Sequence, residues 1–161
     1  MWCVIGVWMS CVLAIVNCST MSCVREGLSE WPEDIPSVCT LVEMKDSPLE
    51  NIPEEEFARF YQLTQLHLIN LGISDLPNIT EAGDTLWQLS LIDNKKLTSL
   101  SVEILSSLTK LDWFTVKGSP LFTTLPDVDG PQPTKVDLSY NGLETIPLLH
   151  KMGERITVRW L

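Results

Sequence analysis

The sequence predicts an α/β solenoid: a right-handed coil with a parallel sheet along its concave side and an irregular convex side that carries short helices. Three observations lead there. The first is the stretch Val136 to Pro147, V-D-L-S-Y-N-G-L-E-T-I-P, in which Val136 and Leu138 stand two apart, as on a short strand with one buried face. Asn141 follows where such a strand must bend, and its amide can satisfy backbone groups that the bend leaves unpaired. The second is that the same grammar recurs along the chain. The third is that one such unit cannot bury its own apolar face and so requires neighbours.

The chain has 161 residues, of which 45% are hydrophobic, enough for one packed domain. Its formal net charge is -10, and an acidic field disfavours nucleic acid, which needs a basic one. Trp2 to Val16 is an uncharged apolar run that gives way to N-C-S-T-M-S, with Arg25 the first charged residue. This reads as a secretory leader over residues 1–22, cleaved after Cys18, Thr20 or Ser22; the alternative is an uncleaved membrane anchor over residues 2–16. Of five cysteines, Cys23 and Cys39 remain after the leader. In a secreted domain the two suggest one disulfide, and the other reading makes Cys39 a buried free thiol.

Five repeats follow in order. Their first slots are Cys39, Leu63, Leu86, Leu111 and Pro133, at intervals of 24, 23, 25 and 22 residues. Their strand pairs are Val42 and Met44, Leu66 and Leu68, Leu89 and Leu91, Phe114 and Val116, then Val136 and Leu138. The inward turn position holds Ser47, Leu71, Asn94, Ser119 and Asn141. Leu71 has no polar group to offer, so its turn needs another partner or a water. Ile156, Val158 and Leu161 begin a sixth repeat. Between strands, Pro53 to Gln62 has a Pro and acids at a helix start and Phe57, Phe60 and Tyr61 at helical spacing, which predicts a short helix. Ser101 to Leu108 predicts another, with Ser101 as cap and Ile104, Leu105 and Leu108 inward. Pro126 to Pro133 is too rich in proline for a helix and should run extended.

These repeats fit the leucine-rich pattern in spacing and residue type, and the chain resembles an animal extracellular leucine-rich-repeat protein from Cys23 to its C-terminus. C-V-R-E-G-L-S-E-W-P-E-D-I-P, within residues 23–38, is similar to the N-terminal cap of that family. The resemblance implies a cap strand antiparallel to the main sheet and held by disulfides; with two cysteines instead of four, this cap is a reduced one. Residues 39–161 then make five to six repeats. The family often adds a Cys-rich C-terminal cap, and none is present here. That leaves the last strand as an edge open to self-association, guarded by Arg155 and Arg159, and suggests a truncated product of a larger receptor as one alternative.

Side chains alternate along a strand, so the residues between the inward leucines form the concave face. The expected ligand-binding set there is His67, Ile69, Gln88, Ile92, Trp113 and Thr115, with Ile69, Ile92 and Trp113 as a central apolar cluster in a polar rim. Asn78-Ile79-Thr80 is a glycosylation sequon in a loop. Glu54 to Glu56 reads as a solvated convex run, since no loop shows the alternating oxygen ligands of a calcium site. His67 between Glu43 and Ser90 imitates a hydrolytic set, but an open sheet has no oxyanion hole or closed cleft, so no enzyme is expected. No metal or cofactor motif appears. The expectation is therefore a secreted module that binds a protein, or a glycan, on its concave face. The resemblance implies either innate recognition or adhesion and matrix organisation; a membrane-anchored adhesion or co-receptor element is the alternative if residues 2–16 are retained.

Overall fold

The computed structural model describes residues 20–127 and 132–145 in full, and the backbone of 11–12 and 155–157. Outside these residues lie most of the expected leader, Ile146-Pro147, His150, Val158, Arg159 and Leu161. The architecture is α/β, with few helices and one eight-stranded sheet whose order follows the chain. Its strands are β1 (Cys11–Val12), β2 (Ser22–Glu26), β3 (Leu41–Ser47), β4 (Gln65–Leu71), β5 (Gln88–Ile92), β6 (Trp113–Lys117), β7 (Lys135–Asp137) and β8 (Arg155–Thr157). β1 is antiparallel to β2, and every later neighbour pair is parallel.

Register follows the sequence intervals. Leu41, Gln65, Gln88, Trp113 and Lys135 are successive cross-strand partners, at the spacing of the first slots. A slip of one residue would turn each strand's leucines out to solvent, so burial of one face fixes the pairing. Val42, Met44, Leu66, Leu68, Leu89, Leu91, Phe114, Val116, Val136 and Leu138 are all buried in a single core.

At or just beyond the ends of β2 to β7 the chain turns through a residue at positive φ: Gly27, Asp46, Asn70, Asp93, Gly118 and Tyr140. Gly, Asn and Asp take this conformation at least cost. Gly118 is further constrained, because a Cβ there would stand 2.3 Å from Asp93 Oδ1. The next residue turns into the core. Asn94 Oδ1 accepts from the Leu71 N–H at 2.9 Å and its Nδ2 donates to Leu68 O at 2.9 Å; this is the partner that the Leu71 turn requires, and it comes from the following repeat. Asn141 does the same two repeats on, accepting from Ser119 N and donating to Val116 O. Ser47 Oγ accepts from Leu28 N, whereas the buried Ser119 Oγ has no hydrogen-bond partner.

The cap closes one end of the core. Cys23 and Cys39 form a disulfide, and both are fully buried. Trp31 and Ile35 are buried below it; the Trp31 ring meets Phe57 at 5.6 Å and its Nε1 donates to Glu56. One family expectation is corrected: β2 runs parallel to β3, not antiparallel. Residues 27–40 carry the chain back to the start of the next strand, as the longer crossovers do, so the cap strand behaves as a shortened repeat. Arg25 is buried on the inner face of β2, 3.8 Å from Asp34, with Nε and Nη2 lacking hydrogen-bond partners.

On the other side lie α1 (Glu55–Ala58), a 3-10 turn at Thr80–Ala82, and α2 (Val102–Ser107). Phe57 and Phe60 are buried, but Tyr61 is exposed, because the helix ends at Ala58 and the chain bends before the third aromatic could turn inward. Ser101 caps α2 by accepting from Glu103 N, with Ile104, Leu105 and Leu108 buried. Of the Pro126 to Pro133 arc, residues 128–131 lie outside the described residues, and the rest carry no regular structure.

Asn94→Leu strips partners from two buried backbone groups and should cost about 2–4 kcal/mol. Ser119→Ala removes an oxygen that bonds nothing and should change stability by less than about 0.5 kcal/mol. Urea unfolding of the two variants checks the contrast, and equal effects would refute this role for Asn94.

Candidate functional site

The outward residues of the sheet form three rows across the strands. The first reads Leu41, Gln65, Gln88, Trp113, Lys135; the second Glu43, His67, Ser90, Thr115, Asp137; the third Lys45, Ile69, Ile92, Lys117. None of these is fully buried except Ser90, at 6% exposure, which lies between His67 and Thr115. Buried helix residues and inward strand residues share one core, so one face of the sheet is packed and the other is open.

The expected apolar cluster does not form as a unit. Ile69 and Ile92 are direct partners, but Ile92 is paired with Lys117 and Trp113 with Gln88. Trp113 opens β6 and Ile92 closes β5, so they lie about 13 Å apart along the strands, at roughly 3.3 Å per residue. Trp113 instead meets Trp87 edge to face, with ring centroids 5.6 Å apart, and carries the Lys135 ammonium 3.6 Å from its ring centroid. A cation over an indole face is attracted by the ring quadrupole. Lys117 stands in the same relation to Tyr140, at 5.6 Å. Trp87 and Tyr140 were not anticipated. Trp87 precedes its strand and Tyr140 sits in the turn, both beyond the alternating positions; the two tryptophans just before and at a strand start in adjacent repeats are the signal that could have found Trp87.

His67 Nδ1 lies 3.3 Å from Glu43 Oε2, and its Nε2 is buried without a hydrogen-bond partner. Ser90 is its cross-strand neighbour, yet no bond joins them, so the three side chains are adjacent without forming a relay. Thr115 and Gln88 lie on the open face beside them, as expected from alternation. Asp137 accepts from Ser139 N at 3.0 Å and from the Ser139 hydroxyl, so its charge is engaged locally.

Away from this face, a groove of about 560 Å³ runs between the cap and the first repeat, lined by Trp31, Glu30, Glu33, Glu50, Glu55 and Glu56 among others. Trp31 and Arg59 hold Glu56, and Lys96 holds Glu50. No group of three metal-ligating side chains occurs among the described residues. Asn78 is exposed, in the loop leading to the 3-10 turn on the helical side; its Oδ1 accepts from the N–H and hydroxyl of Thr80. No family model matches the chain, and no curated protein matches it.

The hydrogen bond and charge of Lys96 lower the Glu50 pKa. A depressed carboxyl stabilises the fold above its unfolded pKa, and that contribution is lost as pH falls through the folded value. Lys96→Ala should therefore raise the Glu50 pKa into the ordinary carboxylate range, read by NMR titration of the side-chain carboxyl; an unmoved titration would remove the pairing.

Proposed function

We propose that this protein is a secreted leucine-rich-repeat recognition module, a right-handed solenoid that binds a protein ligand through the open, concave face of its sheet. The observation that carries the reading is Trp113: a large indole, 36% exposed, in contact with Trp87 and Lys135 on a face that amides, hydroxyls and charges share with Leu41 and two isoleucines. A rigid aromatic in a polar rim is the usual anchor of a protein interface. Ile69 and Ile92 supply a second, separate apolar pair on the same face.

Extracellular placement is supported by the Cys23–Cys39 disulfide, since such bonds persist in oxidising compartments, and by the leader-like composition of residues 2–16. Removal of the leader takes β1 with it and leaves β2 as an edge. The sequon at Asn78 is exposed on the helical side, so a glycan there leaves the concave face free.

Two measurements test this. Intact-mass analysis of protein from secreting animal cells should give a chain starting between Ser19 and Cys23, lighter before reduction by a pair of hydrogens, with a removable glycan at Asn78; full-length material in membranes overturns secretion. Trp113→Ala should weaken binding to the extracellular partner captured by the wild-type chain by about tenfold or more, with secretion unchanged; unaltered affinity moves the site off this face.

A further inference from the structure

Six lysines lie among the described residues; Lys110, exposed in the turn after α2, makes no ion pair there, and the other five fall into two groups. Lys45, Lys95 and Lys96 are paired with Glu26, Asp93 and Glu50. Lys117 and Lys135, both on the open face, have no carboxylate partner among the described residues and lie against Tyr140 and Trp113 instead. This is unexpected in a chain with 21 acidic and 11 basic residues, where a cation has many acids within reach. The one acid between them, Asp137, is engaged by Ser139.

Resting on the concave-face reading, we infer that the ligand is an acidic peptide segment, bound in extended form along β6 with its carboxylates on Lys117 and Lys135. Trp113 and Lys135 are cross-strand partners at one end of β6, and Lys117 lies four residues on at the other. At roughly 3.3 Å per residue the two ammonium groups stand over points about 13 Å apart. An extended peptide spans the same distance between residues i and i+4. The segment therefore carries two acids four residues apart. Between them Asp137 repels a third carboxylate, so the middle residue is neutral, and Thr115 offers it a hydroxyl. The ring faces hold each lysine in place and supply apolar contact beside each acid, which limits the side-chain ordering cost on binding.

The test uses the full secreted chain and four labelled short peptides, followed by fluorescence anisotropy at low and high salt. One carries two glutamates four residues apart, the second the same glutamates adjacent, the third glutamines in their place and the fourth lysines. A sulfated oligosaccharide serves as competitor. The expected result is binding of the spaced acidic peptide alone, weakened by salt as exposed charge pairs are, and lowered about tenfold by Lys117→Ala or Lys135→Ala with an unchanged circular dichroism spectrum. Equal binding of the glutamine or lysine peptide, abolished by Trp113→Ala, leaves the concave face as the site and overturns its preference for acids. Binding that neither Trp113→Ala nor the lysine variants alter overturns both. Binding of the oligosaccharide through the two lysines, with no acidic peptide bound, replaces the peptide with an anionic glycan and overturns the inference.

Discussion

The architecture depends on how each turn satisfies the backbone it bends. A strand that stops after five to seven residues and dives into the core carries peptide groups away from water, and each left unpaired costs as much as a lost hydrogen bond. The chain meets this with side chains from the following repeat. Ser47 serves the turn at Leu28, Asn94 the one at Leu71, and Asn141 the one at Ser119. The donors of this help alternate with positions that receive it, so that Leu71 needs no polar atom of its own. The short helices keep the same beat, since α1 starts at Glu55 and α2 at Val102, as far apart as Ser47 and Asn94. Two repeats therefore form one mechanical unit, and the orphaned Ser119 hydroxyl is what remains when a receiving position keeps a polar residue.

That fastening is what makes the open face a surface of fixed geometry. Once the turns lock the register, every second residue of each strand stands outward at a set distance from its neighbours, and side chains far apart in sequence become adjacent. Lys135 comes to rest on Trp113 and Glu43 beside His67 for this reason alone. The same locking also keeps groups apart: Ile92 and Trp113 are both outward, yet they occupy opposite ends of their strands. The face thus has two apolar points, a pair of isoleucines at one end and an indole at the other.

Charge is distributed to match. The acids of the cap and first repeat face a groove where Lys96, Arg59 and the Trp31 N–H engage some of them, while the two lysines near β6 and β7 are left against aromatic rings. Unpaired cations on one open face of an acidic chain give that face points of opposite charge, and such complementarity discriminates among partners more than it adds affinity.

Much of this was legible in the residues. Apolar spacing of two at intervals of 22 to 25 determined the strands, their parallel register and the buried face, because burial of one side of a strand admits a single register. The cysteine count pointed to the Cys23–Cys39 bond, and Ser101 with Ile104 and Leu105 pointed to α2. Only the tertiary structure decided the rest. It placed the cap strand parallel, turned Tyr61 out to solvent, supplied Asn94 to the Leu71 turn, and seated Lys135 on Trp113 with Trp87 at its edge. Each of these is a contact between segments some twenty residues or more apart, or a bend at the end of an element. Periodicity records which face a residue takes, but not which neighbour stands beside it once the parallel sheet has brought the strands together.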